Sequence, residues 1–463
     1  MENSPIQQEA SSFRDPSGHL FHQNGILYRQ VNQRYSDDYN LLKSSGLYDS
    51  LVKTGSLIPH EEFSPIDLEI SDSSAWKVLK PEFIPFISYP YEWAFDFYKE
   101  AALCTLQIQE KALDHGMTLK DASAYNIQFH LGKATFIDTL SFSKYEEGTP
   151  WVAYKQYCQH FLAPLTLMSK IGLDSGLMMR DFIDGIPLDL TCRMLPFKTR
   201  LSLGLLMHLF LHAGSQSKHA DNKRSAQSTK VSLHSLKGMI DSLKNTITKL
   251  ELPKALRSEW SNYDQTHNYT STAHDEKARL VEDYLKQVSP DTVWDIGANT
   301  GDYSRIACQH SKLTVGFDID PLCVQMLFHS VKQQKQTNLL PVTMNFANPS
   351  PGLGWAGEER ASLASRGPAD LLMALAVVHH LAIVNNVPLD RIARYFSELG
   401  KHLIIEWVPK SDSQIQLMLK NREDIFHSYN EEDFEKHFSN YFTIERKELI
   451  RESQRHLYLM KVK

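Results

Sequence analysis

Cysteine is scarce and unpatterned. Five residues, Cys104, Cys158, Cys192, Cys308 and Cys323, are scattered over 463 positions with no C-x-x-C pair. A disulfide framework and a zinc knuckle are therefore not expected, and reduced thiols are the default. No apolar run approaches about 18 residues, so no membrane span is expected. The N-terminal MENSPIQQEASSFRDPSG lacks the basic-then-apolar order of a signal peptide. There is no excess of positive charge: 49 Lys+Arg stand against 55 Asp+Glu, a net charge of −6. Such a balance gives no indication of nucleic-acid binding. Internal repeats and long low-complexity tracts are also missing. These absences point to a cytoplasmic protein with no membrane partner.

The remainder is ordinary globular composition, with 42% hydrophobic and 22% charged residues. A core of normal size is expected, in two large units or about three smaller ones. The two halves differ in texture. Residues 1–213 are rich in aromatics and prolines, as in PEFIPFISYPYEWAFDFY, and form an expected α+β domain. Residues 214–264 read as a polar linker, GSQSKHADNKRSAQSTK, followed by a connecting helix. In that helix Ile240, Leu243, Ile247 and Leu250 share one face. From 265 to 463, short β-branched runs alternate with helical stretches. A helix over 275–288 should present Ala278, Val281, Leu285 and Val288. Strands are expected at 292–297, 313–319, 339–346, 369–378, 402–408, 441–449 and 456–462. Near-continuous apolar strands alternating with helices predict a doubly wound α/β sheet, with the last two strands as an antiparallel pair.

The sharpest motif is VWDIGANTGDYSRIA, residues 293–307. An apolar strand ends in Asp295, and Gly297, Asn299 and Gly301 then occupy a tight turn before a helix. Glycines there let the backbone approach a ligand. The spacing D-x-G-x-N-x-G is not the G-x-G-x-x-G of dinucleotide sites. A second acid, Asp318, ends the next strand, where a carboxylate can accept ribose hydroxyls.

In these residues the sequence resembles the class I S-adenosylmethionine-dependent methyltransferases. The resemblance implies a Rossmann-like seven-stranded sheet, S-adenosyl-L-methionine as cofactor, and an unidentified methyl acceptor. Asp295, Gly297 and Gly301 match the family's first motif and Asp318 its ribose acid. Asn345 and Phe346 match the strand end that meets adenine. Asn299 stands where many members have glycine, and Asn345 where an Asp often sits; an amide can still pair with the adenine edge. His379 and His380 fall at the carboxyl end of the fourth strand, where the family's active site opens. Either is a candidate base or orienting group. The loop NPSPGLGW, 348–355, is a candidate gate or a rigid connection.

A second constellation lies in LKDASAYNIQFHLGKATFIDTLSF, 119–142, after a helix that Gly116 can end. Asp121, Asn126 and Asp138 resemble the catalytic-loop acid, asparagine and metal-binding acid of protein-kinase-like phosphotransferases. A Gly-rich phosphate loop is missing, Arg29 replaces the expected lysine, and Leu140 replaces a glycine. Over nearly its full length, through SYPYEW, LKDASAYN, ALAVVHHLA and IIEWVPKSDSQ, the chain resembles a bacterial family that includes host-specific nodulation proteins of the NoeA type. Three readings follow: a methyltransferase, a bifunctional or ATP/Mg-dependent phosphotransferase, and a noncatalytic cofactor-binding protein.

Overall fold

The computed structural model describes residues 6–211, 230–253, 256, 271–420 and 423–463. Most of the expected linker, 214–229 and 257–264, lies outside the described residues. The chain forms two compact units: Met1–Ala255 with Leu353–Arg360, and Leu256–Gly352 with Ala361–Lys463. The division departs from the expected boundaries in two places. The helix Leu233–Thr248, expected as a connector, packs in the first unit against the helix Phe95–Asp114 and buries Ile240, Leu243 and Ile247. The segment Leu353–Arg360, expected within the C-terminal domain, is also part of the first unit.

The first unit opens with five antiparallel strands: β1 (Gln7–Gln8), β2 (Gly18–Gln23), β3 (Ile26–Asn32), β4 (His60–Phe63) and β5 (Ala75–Pro81), in the order β1-β2-β3-β5-β4. Asn24 and Gly25, both left-handed, make the two-residue turn that sets Gln23 opposite Ile26. With that register, Phe21 stacks on Tyr28 above Val78. The helix Phe95–Asp114 follows and ends where left-handed Gly116 donates its N–H to the Leu113 carbonyl. Beyond it, β6 (Met117–Leu119) pairs with β9 (Phe142–Lys144), while β7 (Ile127–His130) and β8 (Lys133–Phe136) form a hairpin. Asp121 and Asn126 lie between β6 and β7, and Asp138 lies between β8 and β9.

The second unit is a seven-stranded sheet in the order β12-β11-β10-β13-β14-β16-β15. Its strands are β10 (Thr292–Ile296), β11 (Leu313–Asp318), β12 (Leu339–Thr343), β13 (Ala369–Ala374), β14 (Gly400–Trp407), β15 (Phe442–Leu449) and β16 (His456–Val462). All pairings are parallel except those of β16 with β14 and β15. The order reverses between β10 and β13, so the carboxyl ends of these strands open a crevice for a ligand. Val293, Leu371, Met373, Ile404 and Leu459 from adjacent strands bury one core with Leu280, Tyr284 and Leu285 of the helix Ser271–Val288.

Two sequence expectations are corrected here. The expected helix face keeps Val281 and Leu285 buried and widens to Ala273, Lys277, Leu280 and Tyr284, so a lysine is buried where only apolar groups were expected. The fourth strand ends at Ala374 rather than 378, because Ala376 turns left-handed (φ 55°). No helix among the described residues is long and apolar enough to cross a membrane.

Candidate functional site

The turn after β10 is built by three left-handed residues: Gly297 (φ 74°), Asn299 (φ 48°) and Gly301 (φ 93°). A Cβ at Gly297 would lie 2.7 Å from Val377 Cγ2, so glycine is required by space as well as by φ. Asn tolerates the left-handed region better than other side chains, which accounts for its place between them. The N–H groups of Gly297 and Ala298 both donate to the Phe317 carbonyl at 2.8 Å. These bonds fix the turn to the end of β11.

Asp318 ends β11, largely buried, and accepts backbone hydrogen bonds from Asn299, Ile319 and Asp320. The Asn299 N–H donates to Oδ2 at 2.8 Å and the Asp320 N–H to Oδ1 at 2.9 Å. Burial pushes its carboxyl up to about 6, against the pull of these amides. Asp295 is more deeply enclosed. Its Oδ2 accepts from Ser304 Oγ at 2.6 Å, and burial raises the carboxyl to about 7 in spite of Ser304 and nearby Lys277. Asp295 thus holds the first turn of the following helix to the strand end.

At the end of β12, the Met344 N–H donates to the Asp318 carbonyl at 2.7 Å. Phe346 sits edge-on to Phe317, with ring centroids 5.5 Å apart. Asn345 is exposed and accepts from the Ala347 N–H at 2.8 Å. Of the expected cofactor residues, direct bonds therefore join Asn299 to Asp318, and shared neighbours join Gly297 and Phe346 to them. Asn345 stands at the same strand end.

His379 and His380 lie in a helical stretch that begins at Val378 and continues as the π-turn His380–Val384, not on a strand end. Their ring centroids are 4.2 Å apart. His379 is buried, and its Nδ1 has no hydrogen-bond partner among the described residues. Burial holds its pKa well below the usual histidine range, with help from His380 and Arg455. Burial also lowers His380, to about 4. The low-dielectric surroundings disfavour the charged ring, so both imidazoles are held in the neutral form.

Sequence reasoning missed a buried charge network close to these groups. Lys277 Nζ lies 2.7 Å from Glu406 Oε2, Arg455 Nη1 is 3.3 Å from Glu406 Oε1, and Arg455 Nη2 is 2.8 Å from Asp412 Oδ2. Lys277, Glu406 and Arg455 are all buried. Burial lowers the lysine's pKa while Glu406 opposes that shift. The signal was present in HLIIEWV, where one acid interrupts an apolar strand.

In the first unit Asp121, Asn126 and Asp138 do come together. Asp121 Oδ1 accepts from the Ser123 N–H at 2.9 Å and from Gln156 Nε2 at 2.8 Å. Burial, and then Asp138, raise its pKa. Arg29 Nη1 lies 2.7 Å from Asp138 Oδ1, and Ser141 Oγ donates to Oδ2 at 2.5 Å. A guanidinium therefore already neutralises the expected metal acid. No group of three or more His, Cys, Asp or Glu residues suited to a metal occurs among the described residues.

Strand order, antiparallel β16, the left-handed turn and the acid at the end of β11 define the second unit as a class I S-adenosylmethionine-dependent methyltransferase fold. The chain is 35% identical over 455 residues to the nodulation protein NoeA of Rhizobium meliloti (strain 1021), covering 97% of this chain and 95% of that one. It belongs to the NoeA family. No family model matches it. Among solved structures, it is similar to the magnesium protoporphyrin IX methyltransferase ChlM of Synechocystis PCC 6803, at 18% identity and a TM-score of 0.30, covering 41% of this chain and 84% of that one. The N-methyltransferase NodS of Bradyrhizobium japonicum WM9 shows 10% identity and a TM-score of 0.30, with 42% of this chain and 97% of that one covered.

Proposed function

We propose that the protein transfers a methyl group from S-adenosyl-L-methionine to an acceptor bound at the carboxyl ends of β10–β14. The observation that carries this reading is Asp318, held by the Asn299 N–H at 2.8 Å beside the left-handed turn. A buried carboxylate with a raised pKa gains from further donors, and the two oxygens together have acceptor capacity beyond their backbone bonds. Ribose hydroxyls suit it. Gly297, Asn299 and Gly301 would leave the backbone open to the amino-acid end of the cofactor, and Asn345 and Phe346 would meet its adenine. When bound, the cofactor supplies a methyl group already activated on a sulfonium.

The chain's own task is then positioning the acceptor in line. His380 is the better candidate to touch the acceptor, since His379 is enclosed. A ring with a pKa near 4 is neutral at cellular pH and a weak base, so it orients more than it deprotonates. Turnover should accordingly stay flat from pH 5 to 8 as far as this ring is concerned. His380→Ala should lower turnover with little change in donor affinity.

The β1-β2-β3-β5-β4 order with the β6–β9 and β7–β8 pairs favours a second, structural reading of the first unit as a kinase-like scaffold. Arg29 on Asp138 argues against phosphotransfer by it. The deciding experiment incubates the protein with methyl-labelled donor and fractionated cell extract, beside calorimetry with the donor and, separately, with ATP and magnesium. Labelled acceptor and donor binding are the expected results. Failure to bind the donor would remove the methyltransferase reading, and donor binding without labelling in any fraction would favour a noncatalytic cofactor-binding protein.

A further inference from the structure

One surface of the first unit is used by neither reading. From Leu190 to Leu211 the sequence contains no Asp or Glu, although acids outnumber bases in the chain as a whole. The segment takes in the end of the helix Leu188–Met194, where Arg193 pairs with Asp189 just outside it, a 3-10 turn Phe197–Leu201 and a short helix Leu203–Leu205. Buried Leu195, Thr199 and Leu205 anchor it from below. Gly204 approaches Thr246 so closely that a Cβ there would collide with the threonine hydroxyl. Between these anchors Phe197, Leu201 and Leu203 stand 77%, 83% and 69% exposed. Lys198 and Arg200, both exposed, alternate with them. The Arg200 guanidinium lies 5.4 Å from the Phe197 ring centre and 5.0 Å from that of Phe210, which steadies the aromatic ring at the surface.

Three large apolar groups are exposed on a firmly anchored turn, interleaved with cations and with no acid between them. They match the chemistry of an anionic bilayer surface. Apolar tips enter the headgroup and acyl boundary while Lys and Arg meet lipid phosphates. The rest of the chain is net negative and would be repelled by that surface, so the local positive charge also fixes which face approaches. A peripheral contact of this kind needs no spanning helix. We propose that the Phe197–Leu203 face docks the protein on anionic lipid, placing a methyltransferase chain at a membrane surface.

The test is co-sedimentation of the full chain with vesicles of phosphatidylcholine alone or phosphatidylcholine mixed with phosphatidylglycerol. Binding is expected only to the phosphatidylglycerol vesicles, and it should weaken as salt rises because the Debye length shrinks. The F197S/L201S/L203S variant and, separately, K198E/R200E should each lose at least about tenfold in vesicle affinity. Unchanged circular-dichroism melting would show that both variants are folded. Should either variant melt early, the single exchanges L201S and K198E replace it with the same expected direction. Wild-type protein that stays in the supernatant with both vesicle types would overturn the proposal. So would vesicle binding that is indifferent to all these exchanges. Sedimentation velocity supplies the remaining outcome: a dimer that F197S/L201S/L203S converts to monomer would make this face a contact between two copies and overturn lipid docking.

Discussion

Asp318 in the second unit is the last residue of β11, beside β10 and its turn, and Asp138 in the first lies two residues past β8, whose partner β7 begins just after Asn126. Their partners differ in kind. Asp318 is held by backbone amides, from Asn299 and Asp320. Asp138 is held by a side-chain cation, Arg29 at 2.7 Å, besides Ser141 and the Leu140 N–H. Amides orient a carboxylate without cancelling its charge, so hydroxyl donors can still be accepted. A guanidinium at contact distance cancels the charge a divalent cation would require. The same residue type at a motif position is thus available in one unit and committed in the other.

The largest effect should come from the charge network behind the donor turn. Glu406→Gln would leave Lys277 buried without its carboxylate and Arg455 with Asp412 alone, and breaking a buried pair typically costs about 3–5 kcal/mol. Urea unfolding of the two proteins would measure it. A loss below about 1 kcal/mol would mean that the network is far better solvated than its burial implies.

Next is the donor acid itself. Asp318→Ala should remove two hydrogen bonds to the ribose and lower S-adenosylmethionine affinity at least about tenfold. The ionised carboxylate is the accepting form, and it protonates as pH falls through about 6. Wild-type donor affinity should therefore be highest above that pH and fall by up to about tenfold from pH 6 to 5, the limit for one linked proton. The Asp318→Ala protein should lack this slope. Unchanged affinity in a folded Asp318→Ala protein would place the cofactor elsewhere.

The smallest effect sharpens the comparison from the other side. Asp138→Asn should leave methyl transfer and donor affinity nearly intact, and the wild type should show no magnesium-dependent ATP hydrolysis. Robust ATP turnover abolished by Asp138→Asn would mean that Arg29 leaves the acid when nucleotide and metal arrive. The first unit would then be an active phosphotransferase.

Much of the second unit was legible because its signals are local. Apolar runs covered on both faces mark parallel strands, and Asp295-x-Gly297-x-Asn299-x-Gly301 records a turn whose φ values few other residues adopt. Strand ends were less legible. The run 369–378 stays apolar past Ala374, yet the chain turns left-handed at Ala376, so the histidines arrive on a helical turn. Periodicity cannot register such a turn when no glycine or proline marks it. Lys277 was missed because a lysine on a helix is ordinarily solvated. Glu406, from a strand far along the chain, makes its burial tenable.

Local pattern determined which stretches become strands, where a ligand-approaching turn lies, and which acids stand at strand ends. Those features depend on backbone preference and side-chain size, which neighbouring residues specify. Partnership across the fold decided the remainder. It gave Asp318 its amides and Asp138 its arginine, lowered His380 to about 4, and carried Leu353–Arg360 into the first unit. Charge state and availability depend on which groups lie within a few ångströms and on how much water remains. Chain spacing does not encode either quantity, and packing sets both.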